Sequence, residues 1–165
     1  MTLRIAKILM VLAVAIYYSL VVFNNITDYG SNYQFVRHVM MMGSTFPGNR
    51  GTWRAVNSPG WHTAFYVSII AWEIVTALLC WWGGLRLAGT VRESGPAFNR
   101  AKGVAVVALT LALLMWLVAF VSVGGEWFLM WQSKVWNGEG MPSRMFTVIG
   151  IVLLFVAQPE TDGQA

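Results

Sequence analysis

The amino-acid sequence predicts an all-α, polytopic membrane protein: four transmembrane helices, a partly helical outer loop between spans 1 and 2, and an interfacial segment after span 3. Three observations carry this. Hydrophobic residues make up 57% of the 165 positions and charged ones 11%, with a mean hydropathy of +0.60, too apolar for a soluble domain of ordinary composition. Four apolar runs approach the length of about 20 residues that a helix needs to cross hydrocarbon. The Lys and Arg residues stand between these runs, not clustered on one face as in a nucleic-acid surface. The net charge of +4 therefore implies no nucleic-acid partner.

The chain reads as a single membrane domain over residues 1–165, with spans at about 5–23, 59–87, 103–123 and 142–158. The first run has Arg4 and Lys7 ahead of it and an A-x-A triplet at Ala13-Val14-Ala15. Cleavage there would leave too short an apolar core, so it reads as a retained anchor, not a signal peptide. Span 2 opens with Ser58 as N-cap and Pro59 at the first helical position, where a missing N–H costs nothing; Gly83-Gly84 loosen its far end. Gly124-Gly125 close span 3. Span 4 is strictly apolar only from Met145 to Ala157, and reaches a short span if it starts at Pro142 with Arg144 snorkelling. Pro159 stops it.

Orientation follows from the basic residues near span ends. Arg4, Lys7, Arg86, Arg92, Arg100 and Lys102 share the face of the N-terminus and of the loop 88–102; Arg37, Arg50, Arg54, Lys134 and Arg144 are spread over the longer loops 24–58 and 124–141. The density places the loop 88–102 and both termini in the cytoplasm.

The loop 24–58 is too aromatic for a disordered linker. Ser31-Asn32-Tyr33-Gln34 matches a capping box and Gly43 a C-terminal stop, predicting a short helix from Asn32 to Met42. The segment Trp127 to Trp136 should lie in the headgroup layer, where Trp rings are favoured, and form a lid over the bundle with that helix. Asn25-Ile26-Thr27 has the pattern of a glycosylation sequon, but abuts the membrane.

Several strings resemble an uncharacterised bacterial family of predicted small integral membrane proteins. They are the residues 23–32 (FNNITDYGSN), 35–40 (FVRHVM), 45–49 (TFPGN), 98–103 (FNRAKG), 124–133 (GGEWFLMWQS) and 136–138 (WNG). The resemblance implies membrane location and bacterial origin. It supplies no activity, cofactor or catalytic residue.

Glu73 is the one acidic residue inside a span, and a charge there costs about 2.5 to 3.5 kcal/mol on insertion scales, so it must be neutral or partnered. Heptad steps along span 2 place His62, Tyr66, Ile69, Glu73, Ala77, Cys80 and Gly84 on one face of small and polar residues. That stripe should face protein, while Ile70, Ile74, Leu78 and Trp81 face lipid. Thr110, Trp116 or a backbone carbonyl are the expected partners of Glu73. Cys80, the single cysteine, has no intrachain disulfide partner.

His38 with Met41 and Met42 would suit a soft metal such as copper(I), but the spacing matches no established motif, and methionines near a bilayer are ordinary filler. No Walker loop, G-x-S-x-G, paired-Cys or H-E-x-x-H motif occurs, so neither an enzyme nor a cofactor is expected. The expectation is a non-catalytic accessory or scaffold subunit of the bacterial inner membrane. Its lipid-embedded bundle would dock another membrane protein, or a second copy, through Trp53, Trp127, Trp131, Trp136 and Arg37. The alternatives are an oligomeric channel or transporter unit built on Glu73, and a metal-handling or redox protein built on His38.

Overall fold

The computed structural model describes residues 1–161, and among these no strand occurs. Helix α1 spans Thr2–Thr27, α2 Tyr29–Met41, α3 Pro59–Gly89, α4 Gly95–Leu114 and α5 Gly140–Ala157. Helix α4 runs on without a break into a π-helix at Met115–Trp127, so the third spanning unit is Gly95–Trp127. Single 3₁₀ turns occur at Thr52–Arg54 and Met130–Gln132. Four units, α1, α3, α4 with its π extension, and α5, are long and apolar enough to cross a membrane. The protein is polytopic, and its exposed apolar side chains, such as Leu154 (72% exposed), Leu78 (64%) and Leu85 (63%), meet lipid.

The bundle closes in the order α1, α3, α4, α5, with α5 returning to α1. Lipid tails are as apolar as leucine, so burial cannot drive these helices together; close packing and hydrogen bonds must. Helix α4 provides the packing through Ala101, Ala105, Ala108 and Ala112, all buried. Gly83 of α3 lies so close to Ala105 that a Cβ there would come within 2.7 Å of the Ala105 backbone. The pair Gly83-Gly84 is thus a buried contact inside α3, which continues to Gly89, and not a loosened end. Hydrogen bonds cross the bundle from Tyr18 Oη to the Ala112 carbonyl (3.1 Å) and from Trp72 Nε1 to the Leu111 carbonyl (3.1 Å).

Other boundaries also differ from the sequence reading. Only Asp28 separates α1 from α2. The chain never leaves helix for long enough to need a new cap, so Ser31 lies inside α2 and the expected capping box does not form. The stop falls on Met42, in the left-handed region at φ 52°, one residue before Gly43. Gly124 and Gly125 do not end the third unit; both are buried within its π segment. There the bonds reach five residues back, as in Phe128 N–H to the Val123 carbonyl (3.0 Å), and this wider winding carries the helix to Trp127. Ser58 and Pro59 do open α3, and α5 ends at Ala157, before Pro159.

Candidate functional site

Three polar or aromatic constellations stand out, one at each end of the bundle and one inside it. The first is built on Glu73. The heptad stripe is covered: His62, Tyr66, Glu73, Ala77, Cys80 and Gly84 are buried and Ile69 is half-buried. Ile74, Leu78 and Trp81 are exposed as expected, but Ile70 is buried; it follows Tyr66 by one turn and shares its covered side. Glu73 accepts a hydrogen bond at Oε2 from Asn25 Nδ2 (2.6 Å), and Tyr66 Oη donates to the Asn25 carbonyl (3.0 Å). The partner therefore comes from α1, not from Thr110, whose hydroxyl bonds back to Val106, or Trp116, whose indole nitrogen finds no acceptor among the described residues.

Counted along α3, Glu73 is central, yet it stands level with the last turn of α1. Asn25 also lines an outward-opening cleft of about 500 Å³ with Val21, Asn24, Asp28 and Asn32. His62 and Cys80 do not join this node. His62 Nε2 pairs with the Val56 carbonyl at 2.7 Å, and Cys80 is a free thiol in the main core.

The second constellation is the outer platform. Val39, Met40 and Met42 of the α2 end pack on Phe128 and Met130 to form a core of their own. Polar bonds tie the two loops: Ser44 Oγ meets Ser133 Oγ (2.7 Å), and Gln132 Oε1 accepts from Phe46 N–H (3.2 Å) and Asn49 Nδ2 (3.3 Å). Above this core Trp53 (75% exposed), Trp127 (48%) and Trp131 (42%) reach outward. Trp53 meets Trp127 edge-on at 5.9 Å, with Arg54 stacked 5.5 Å from the Trp127 ring. Trp136 belongs to the scaffold instead, half-buried and stacked flat on His38 at 4.4 Å. Arg37 bonds along its own helix to Gln34 (3.4 Å). His38 and Met42 border one small void of about 10 Å³ together with Met130, while Met41 does not.

The third constellation, at the opposite end, has no local sequence signature. Lys7 donates to Glu160 Oε1 (2.5 Å) and to the Gln158 carbonyl (2.7 Å), Lys102 to the same carbonyl (2.5 Å) and to Asn99 Oδ1 (2.8 Å). Asn99 Nδ2 donates to the Glu160 carbonyl (2.9 Å), and Arg4 Nε lies 3.7 Å from Glu160 Oε2. Burial alone would raise the Glu160 carboxyl, but the hydrogen bond from Lys7 and the charges of Lys7, Lys102 and Arg4 outweigh it and hold it below the ordinary carboxylate value. Because this node joins the first helix to the segment after the last, the N-terminal and C-terminal segments lie on one face.

In the sequence Lys7 and Lys102 read as topology signals and Asn25 as part of a sequon. A lysine set inside an apolar run, where it must find acceptors, was the available sign. Eighteen residues separate Lys7 from Asn25, about 27 Å of helix, so along α1 the two polar nodes stand about one hydrocarbon thickness, roughly 30 Å, apart.

Among the described residues no three His, Cys, Asp or Glu side chains gather as a metal site would require. No curated protein and no solved structure matches the chain. Over residues 3–159 it matches the family described as predicted small integral membrane protein (DUF2165), a family of unknown function, and with nearly its whole length so matched and four spanning helices in place, the chain belongs to that family.

Proposed function

We propose that the chain is a non-catalytic accessory or scaffold subunit of a bacterial inner membrane, with both termini cytoplasmic, docking another membrane protein through its outer aromatic platform. The observation that carries this reading is the pairing of exposed Trp53, Trp127 and Trp131 with a scaffold that has a hydrophobic cluster of its own, separate from that of the bundle. The scaffold also holds the two non-glycine residues with positive φ among those described, Met42 (52°) and Leu129 (54°). Such conformations cost on the order of 1–3 kcal/mol each and tend to collect at functional sites. Aromatic rings that served only as headgroup anchors would not call for a strained scaffold. The test is a photo-crosslinking residue at position 53, compared with one at lipid-facing position 85, in native membranes. A discrete protein adduct from position 53 alone supports docking, and its mass separates a second protein from a second copy. Lipid adducts only, from both positions, would refute it.

A second reading, an oligomeric channel or transporter unit, draws on Asn25, which both lines the open cleft and holds Glu73. Proton flux through reconstituted vesicles, abolished by Glu73→Gln with the fold intact, would favour it over the docking role.

A further inference from the structure

We infer that the face bearing the N-terminal segment holds a specific site for an anionic phospholipid, seated in the groove between α4 and α5 with its phosphate on Lys102 and Asn99. The groove has a volume of about 400 Å³ and is lined by Asn99, Lys102, Gly103, Val106, Ala157 and Pro159. Its polar lining is confined to one end. Asn99 and Lys102 lie nearest the helix start, and Val106 and Ala157 continue into the apolar belt, so the groove has the polarity of a headgroup followed by an acyl chain.

Helix α5 ends at Ala157, and its Gln158 carbonyl meets Lys102 about two turns into α4. The start of α4 therefore stands above the end of α5 as one wall of an open step. Gly103 deepens it: a Cβ there would meet nothing within 4 Å.

Charge selects the ligand. Arg4 and Lys7 pair with the single carboxylate of Glu160 and Lys102 adds a third positive charge near it, leaving a cationic surplus at this end of the bundle. Lys102 is only 5% exposed. An ammonium has three donors; Asn99 Oδ1 and the Gln158 carbonyl take two of those on Lys102, and beyond them it has the Phe98 ring, 5.5 Å from Nζ, a weaker partner than a phosphate oxygen in the groove would be. Basic pockets between spanning helices on the anionic leaflet bind phospholipid headgroups in this way. A free phosphate would use the polar end and ignore the apolar wall, so the lining favours the lipid. This site lies at the opposite end of the bundle from the outer platform and does not depend on the docking role.

The experiment uses the full chain in neutral detergent, with native mass spectrometry and thermal unfolding on addition of phosphatidylglycerol, phosphatidylcholine or inorganic phosphate. Phosphatidylglycerol should be retained at least about five-fold better than phosphatidylcholine, and Lys102→Gln should remove about five-fold, the share of one basic side chain at an anionic surface. Gly103→Leu fills the groove with every charge in place; it should fold as the parent does and lose the same preference. Should Lys102→Gln fail to fold, Gly103→Leu decides alone. Equal retention of the two lipids, protection by inorganic phosphate as strong as by phosphatidylglycerol, or unchanged retention in Gly103→Leu would each overturn the inference.

Discussion

Replacing Gly83 with Ala tests whether α3 and α4 are held by close backbone approach. In an ordinary helix the change is favourable, since alanine is better than glycine by about 1 kcal/mol. Here the new Cβ would sit 2.7 Å from both the Cα and the N of Ala105 and 3.0 Å from its Cβ. Neither backbone atom can rotate away, so the helices must part by several tenths of an ångström along the whole alanine stripe. Overpacking of this kind costs about 1–3 kcal/mol, and after the propensity gain a net loss of up to about 2 kcal/mol remains. Two controls isolate the cause. At Gly84 the obstacle is Leu12 Cδ2, at 2.6 Å, the end of a flexible side chain, so Gly84→Ala should cost less. At Gly103 nothing lies within 4 Å, so Gly103→Ala should be neutral or stabilising. Unfolding in mixed micelles would give the ranking. A Gly83→Ala protein as stable as Gly103→Ala would refute the packing argument.

Glu73→Gln keeps an acceptor for Asn25 and should stay within about 0.5 kcal/mol of the parent, whereas Glu73→Leu strands the Asn25 amide and should cost between about 0.6 and 2 kcal/mol. Equal stability of the two variants in the same unfolding assay would show that the bond holds nothing. Because the folded Glu160 carboxyl lies below its ordinary value, its contribution is complete above the unfolded carboxylate pKa of about 4.3 and is lost as pH falls through the lower folded value. Protease access to the C-terminal segment should rise only in that acidic range, and Glu160→Gln should make it pH-independent; early release near pH 6 would contradict the ion-pair node. Reporter fusions at Glu93 and at the C-terminus should both read cytoplasm, and fusions near Gly48 and Gly138 the outside. A split result for the first pair would reverse the orientation argument.

Local periodicity carried much of this architecture. The four spans, the covered stripe from His62 to Gly84 and the meeting of the two outer loops follow from run lengths, heptad spacing and aromatic content, properties of neighbours along the chain. What stayed illegible depends on distant pairs. Asn25 meets Glu73 across 48 residues and Lys7 meets Glu160 across 153, and no spacing rule within one helix points from one to the other. The misplaced boundaries share a different cause. Gly43 and Gly124-Gly125 are good stop signals in isolation, but tertiary packing of Met42 and Met130 settles where the backbone turns. Ser31 fits a cap only if the preceding chain is extended, and a one-residue break at Asp28 never makes it so.

The π winding of Met115–Trp127 has a bearing on how insertions and deletions would be tolerated. An α-helix that loses one residue turns everything beyond the cut by about 100°; deleting exposed Val75 from α3 would swing half of its covered stripe toward lipid. A π-wound stretch holds more residues per turn than an α-helix needs, so loss of the similarly exposed Val118 can be met by one turn relaxing to α, with the residues beyond it keeping their bearing. Two deletions of the same residue type, at 49% and 42% exposure, should then differ in folded yield, and the third spanning unit is where the length of this chain can drift without cost to the bundle.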